Sequence, residues 1–107
     1  MNTLTDYRRP GARYRSEAAR SAWLGLGGWH LRDGGDWARV YASGSRRTVA
    51  RRAVVCREAG AWVWMVEEFD LSSRRVRRIA NRSRRGRWYV SAAAAMPWAD
   101  LAARASD

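Results

Sequence analysis

Eight arginines fall within residues 74–87, namely Arg74, Arg75, Arg77, Arg78, Arg82, Arg84, Arg85 and Arg87, and Trp88 and Tyr89 follow at once. A guanidinium is a planar fork of donors that matches phosphate and carboxylate, and it stacks on bases and aromatic rings. Cations at this density neutralise several phosphates and release their counterions. An adjacent aromatic ring can stack on an unpaired base. The chemistry expected of this stretch is therefore capture of a polyanion. The candidate nucleic-acid-binding residues are these eight arginines and Trp88. Arg46, Arg47, Arg51 and Arg52 form a secondary basic patch. The same stretch also fits a solvated loop beside a core Trp88. Crowding like charge into one loop is unfavourable without a partner, and this tips the reading towards binding.

The whole chain carries the same bias. All 21 cationic residues are Arg, against 10 Asp and Glu, for a formal net charge of +11. An anionic partner would relieve the self-repulsion that such a charge brings, although the surplus would also keep a protein soluble. Catalytic constellations are sparse. His30 is the sole His and Cys56 the sole Cys, so no His/Cys metal cluster exists and no cofactor is expected. Cys56 follows Val54 and Val55 and reads as a small buried thiol. Glu67, Glu68 and Asp70, with Asp33 or Asp36, could hold a divalent ion for phosphodiester cleavage, or simply pair with surface arginines. A metal-free ribonuclease would need a few Arg, a Tyr and a His or Glu near the scissile phosphate, which directs attention to His30, Arg39 and Tyr41.

These residues must be held by a single domain, since 107 residues leave no room for two cores. Seven Trp within an apolar fraction of 47% supply enough surface to fold. Residues 1–15 read as a basic flexible arm, and residues 16–107 as one α+β domain with an Arg-rich loop at about 70–87. Ser16 and Glu17 predict the start of a short N-terminal helix, with Ala18, Ala19, Ala22, Trp23 and Leu24 as its apolar face. Gly25, Gly27 and Gly28 would end it. Trp29–Arg32 is strand-like and runs into the turn signal Asp33-Gly34-Gly35-Asp36. Alternation over Trp37–Ser43 and Thr48–Arg57, and the run Ala61–Val66, predict antiparallel strands joined at residues 44–47 and 58–60. Residues 74–87 hold only Val76 and Ile79 as large apolar anchors. They predict a long basic loop, or a ragged edge hairpin completed by residues 88–90. Ser91 caps a C-terminal helix in which Pro97 should kink or restart the chain. Trp98, Leu101, Ala102 and Ala105 fall at helical spacing to pack on the sheet.

The expected architecture is a short N-terminal helix, a three- to four-stranded antiparallel sheet, and a C-terminal helix packed on the sheet. Trp62 and Trp64 share one strand face, with Trp37 and Tyr41 as a facing pair. This face is the core if the helix covers it, and a platform for bases or a protein if not. The opening residues are polar and no apolar run approaches a membrane span, so the expected compartment is the cytoplasm, without a membrane.

Three resemblances follow from these residues. Arg32-Asp33-Gly34-Gly35-Asp36-Trp37-Ala38-Arg39-Val40-Tyr41 resembles the Arg-x-Gly-Asp-aromatic-Arg-Val strand pair of RelE-type ribonuclease toxins, with the spacing offset by a residue or more and no room for that family's long helical hairpin. The helix–strands–helix order resembles a double-stranded-RNA-binding domain, except that Ser91-Ala92-Ala93-Ala94-Ala95 stands where that family carries its phosphate clamp. Over residues 29–105, the Trp62-x-Trp64-x-Val66 strand and Ser-capped Ala helix resemble small orphan proteins of phages and mobile elements, some of them anti-CRISPR inhibitors. The expectation is non-catalytic binding of RNA or a ribonucleoprotein. The alternatives are an inhibitor that docks on an acidic protein surface or a host machine, and a RelE-like ribonuclease.

Overall fold

The computed structural model describes residues 23–81 and 89–104. Among them the chain forms β1 (Trp23–Leu31), β2 (Trp37–Ser43), β3 (Val49–Glu58), β4 (Ala61–Asp70) and β5 (Val76–Asn81), followed by one helix, α1 (Ala92–Arg104). The strands pair in chain order into one antiparallel sheet, so β1 and β5 are its edges.

Two expectations about the fold are overturned. Trp23 and Leu24, placed by their spacing on an N-terminal helix, begin a nine-residue strand instead, and the glycines meant to stop that helix lie inside the strand. The remainder of that predicted helix, residues 16–22, and the arm 1–15 lie outside the described residues. Glycine weakens a strand, but here two sites use it. Gly25 leaves room for the Arg39 guanidinium, whose Cζ and Nε would stand 2.6 Å from a Cβ at that position. Gly27, at φ 71°, sits in a bulge where Leu26 and His30 oppose Val40 and Ala38.

The second correction lies in the Arg-rich segment. Residues 76–81 are a fifth strand, against the three or four expected. Val76 and Ile79 do not anchor it alone. Glu67 lies opposite Arg52 on β3 and Arg78 on β5, and Glu68 lies opposite Arg51 and Arg77. Opposite charges facing across a ladder stabilise the pairing. A bulge between Val66 and Glu67 leaves Ile79 as the extra residue of β5, where it packs against the core, while Ala80 faces Val66. The chain returns to the same edge at Tyr89, which exchanges backbone bonds of 3.0 Å each with Trp62.

The turns follow the sequence closely. The β3–β4 connection is Ala59-Gly60, at φ 52° and 82°, the left-handed pair of a two-residue hairpin. In the β1–β2 turn Gly35 takes φ 89°, and its amide donates to the Arg32 carbonyl.

One face of the sheet carries Tyr41, Ala53, Val55, Trp64 and Val66, and α1 covers it with Ala95, Ala99, Ala102 and Ala103. The aromatic face is therefore the core, with Trp37 and Trp62 half-buried at its margin. Four alanines let the helix lie close to the sheet, where Trp64 and Tyr41 fill the volume. Ser91 caps α1 as expected, its hydroxyl accepting from the Ala94 amide at 3.2 Å. Pro97 does not restart the helix, which is continuous from Ala92 to Arg104. Both Pro97 and Ala93, whose carbonyl loses its helical donor, lie on the exposed side, so water can satisfy that carbonyl. No helix among the described residues is long and apolar enough to cross a membrane.

Candidate nucleic-acid interface

The antiparallel meander brings the β2–β3 and β4–β5 turns to the same end of the sheet, where Val49 lies opposite Asp70 and the Leu71 amide donates to the Thr48 carbonyl. Arg46 and Arg47 come from the first turn, Arg74 and Arg75 from the second, and Arg77 and Arg78 from the strand beyond. The second turn is tightly built. Asp70 Oδ1 accepts from the Ser72 amide, the Ser72 hydroxyl and the Ser73 amide at 2.9, 2.7 and 3.3 Å. The Arg74 amide closes onto the Asp70 carbonyl at 2.7 Å, with Arg74 held at φ 61°. Bonds from the Ser72 hydroxyl and amide and from the Ser73 amide hold the Asp70 carboxyl below its ordinary range.

The arginines divide by what they touch. Arg51, placed in the secondary basic patch by sequence, is 1% exposed. Its Nε donates to Glu68 Oε2 at 3.3 Å, its Nη1 to the Ala103 carbonyl at 2.9 Å, and its guanidinium lies 4.1 Å from the Trp23 ring centre. That placement withdraws Arg51 from the surface patch: it fastens β3, β4 and α1 together. Arg52 is bound to Glu67 Oε1 through Nε at 3.0 Å and Nη2 at 2.6 Å. Arg77, on the opposite side of Glu68, donates to Oε1 at 3.0 Å but leaves 70% of its side chain exposed. Arg46 lies 3.9 Å from the same carboxylate and is also largely open to solvent. Burial would raise the Glu68 carboxyl, but the bonds and charges of Arg77 and Arg51 outweigh it and hold the group below its ordinary range. Arg47, Arg74, Arg75 and Arg78 are exposed and form no ion pair among the described residues.

Between the two turns lies a cleft of about 420 Å³, lined by Arg46, Val49, Glu68, Asp70, Ser73, Arg75, Val76 and Arg77. Arg82, Arg84, Arg85, Arg87 and Trp88, the remaining sequence candidates, lie outside the described residues. Tyr89, suggested with Trp88 as a stacking ring, is buried, and its ring meets Trp98 at 6.3 Å between centroids. What sequence reasoning missed is the double use of Glu68, bonded by Arg51 on one side and by Arg77 on the other. Two adjacent acids in one strand, with adjacent-Arg pairs on both sides in sequence, were a sign of such a ladder, but only the register selects Arg51-Arg52 and Arg77-Arg78 from among those pairs.

The catalytic constellations do not come together. His30 pairs with Ala38, so it projects from the face opposite Arg39 and Tyr41. The Tyr41 hydroxyl is buried and donates to Asp100 Oδ1 at 2.7 Å, with Arg39 Nη1 at 3.4 Å from the same oxygen. Burial and the bond to Asp100 push that hydroxyl far above its usual range, which fits a strut between β2 and α1. Glu67 and Glu68 are held by arginines, Asp36 by Arg32, and Asp70 by its turn. Among the described residues no three of His, Cys, Asp and Glu stand close enough to hold a metal ion. Cys56 is half-buried, and burial raises its thiol above the ordinary range. Compared with known protein families, curated proteins and solved structures, the chain matches none of them.

Proposed function

We propose that this protein binds nucleic acid, RNA or a ribonucleoprotein in preference, through the basic end of the sheet and the β5 edge, without catalysing a reaction on it. One observation carries the reading. Arg47, Arg74, Arg75 and Arg78 stand exposed at one end and edge of the sheet with no ion pair among the described residues, while the neighbouring carboxylates are taken up by Arg51, Arg52, Arg77 and the Asp70 turn. Like charges gathered this way repel, and a phosphate backbone relieves them. Phosphate contacts of this kind position a strand without reading its sequence, so binding should be broad in sequence preference.

The test is binding to single- and double-stranded RNA and DNA across a salt series, with the triple variant Arg47→Glu, Arg74→Glu, Arg75→Glu beside the wild type. Support is affinity that falls steeply with salt in the wild type and is much weaker, with a flatter salt dependence, in a variant that melts normally. Equal affinity of the two proteins would sink the proposal.

A second reading, docking on a protein surface, draws on the opposite edge, where Leu24 and Leu26 of β1 are 54% and 57% exposed. Salt-resistant binding to a protein with none to nucleic acid would favour it.

A further inference from the structure

We propose that the cleft between the β2–β3 and β4–β5 turns takes the terminal phosphomonoester of a nucleic-acid strand, an inference that rests on the nucleic-acid reading above. Three arginines from separate segments line it: Arg46 from one turn, Arg75 from the other and Arg77 from β5, with Arg46 and Arg77 both beside Glu68. Each guanidinium has five N–H donors. Arg77 uses one of them on Glu68, Arg46 approaches that carboxylate only at 3.9 Å, and Arg75 forms no ion pair among the described residues. Most donors at the cleft therefore remain available to a ligand. The Ser73 hydroxyl, which accepts from the Arg75 amide at 3.4 Å, keeps its own proton to donate.

Charge sets the ligand class. Glu68 is matched from below by Arg51, at 3.3 Å, so the lining presents three guanidiniums against the one remaining carboxylate, Asp70. The Oδ1 atom of Asp70 is already committed to the turn. The excess is two positive charges. An internal phosphodiester brings one negative charge, whereas a terminal phosphomonoester brings roughly 1.5 to 2 at neutral pH. The dianion is the better match. Val49 and Val76 add apolar wall, against which the attached sugar or base can rest. A volume of about 420 Å³ lies within the range of ligand-binding clefts and is room for one nucleotide.

The experiment compares one single-stranded RNA sequence carrying a 5′-phosphate, a 3′-phosphate or neither, on the full-length protein. It is run on the wild type, on Arg46→Ala/Arg75→Ala, and on the control Arg74→Ala/Arg78→Ala, which removes equal charge outside the cleft. In the wild type one phosphorylated end should strengthen binding about tenfold over the unphosphorylated strand, as charge-assisted hydrogen bonds would. The preference should vanish in Arg46→Ala/Arg75→Ala and survive in the control, although the control binds all strands more weakly. Equal binding of the three strands by the wild type overturns the cleft assignment while leaving the nucleic-acid reading intact. A preference that persists in Arg46→Ala/Arg75→Ala also overturns it. Failure of every strand to bind, with duplex RNA and DNA unbound as well, removes the parent reading and this inference together, a result distinct from equal binding.

Discussion

Replacing Glu68 by Gln should destabilise the domain far more than removing the more visible of its arginine partners. Gln keeps the shape but not the charge, so the Arg51 guanidinium, 1% exposed and 3.3 Å from Glu68 Oε2, loses a carboxylate in a place where water cannot replace it. Removing one member of a buried pair costs about 3–5 kcal/mol. The lower end applies here, because the Ala103 carbonyl still accepts from Arg51 and the Trp23 ring still faces it. Arg77→Ala removes the other side of the same carboxylate, but with a side chain 70% exposed, and exposed pairs contribute about 1 kcal/mol or less. Urea unfolding separates the two. With a slope of about 2 kcal/mol/M for a domain of this size, Glu68→Gln should lower the midpoint by roughly 1.5 M and Arg77→Ala by less than about 0.5 M. The pH dependence has a definite sign. The Glu68 carboxyl is held below its unfolded value of 4.5, so its contribution is complete above that pH and is lost as the pH falls through the folded value. The gap between wild type and Glu68→Gln should therefore be widest near neutrality and close in acid. Equal losses from Glu68→Gln and Arg77→Ala, or a gap that widens in acid, would refute the assignment of Arg51–Glu68 as the buried fastening.

Three further outcomes are expected. Arg47→Glu/Arg74→Glu/Arg75→Glu should weaken single-strand binding and flatten its log–log salt dependence by about 2, at roughly 0.7 for each phosphate no longer neutralised, as read by Trp fluorescence. Tyr41→Phe, which deletes the 2.7 Å bond to Asp100 without changing ring packing, should cost about 1.5 kcal/mol; in a melt this is a loss of several degrees in Tm. Ala59→Asn should raise Tm, since Ala59 occupies φ 52° at a cost of about 1 kcal/mol that Asn bears more easily; an unchanged or lower Tm would count against the strain.

Much of the sheet was written locally. The alternation in Trp37–Ser43 and Thr48–Arg57, the aromatic run Ala61–Val66, the turn residues Asp33–Asp36 and Ala59-Gly60, and the Ser91 cap each depend on a few neighbouring residues, and each appears where its pattern stands. The net charge of +11, carried wholly on Arg cations, was equally legible and pointed to a polyanionic partner before any fold was known. Tertiary structure decided the rest. The segment Trp23–Leu31 has helix-like spacing at its start and strand-weakening glycines at 25, 27 and 28, yet it is a strand because β2 offers it a ladder and Arg39 uses the space above Gly25. Residues 76–81 are poor in apolar anchors and pair with β4 in a register that bonds Arg77 to Glu68 and packs Ile79 against the core. Only the covered face could tell Trp64 as core from Trp64 as platform. Identical arginines likewise have different fates. Arg51 lies under α1 and becomes part of the core, Arg52 is bound by its cross-strand glutamate, and Arg74 and Arg75 stand exposed because the turn that carries them ends with its one carboxylate already committed. Charge is a property of composition, but its availability depends on which carboxylate the register places opposite each guanidinium, and that pairing exists only once the strands have met.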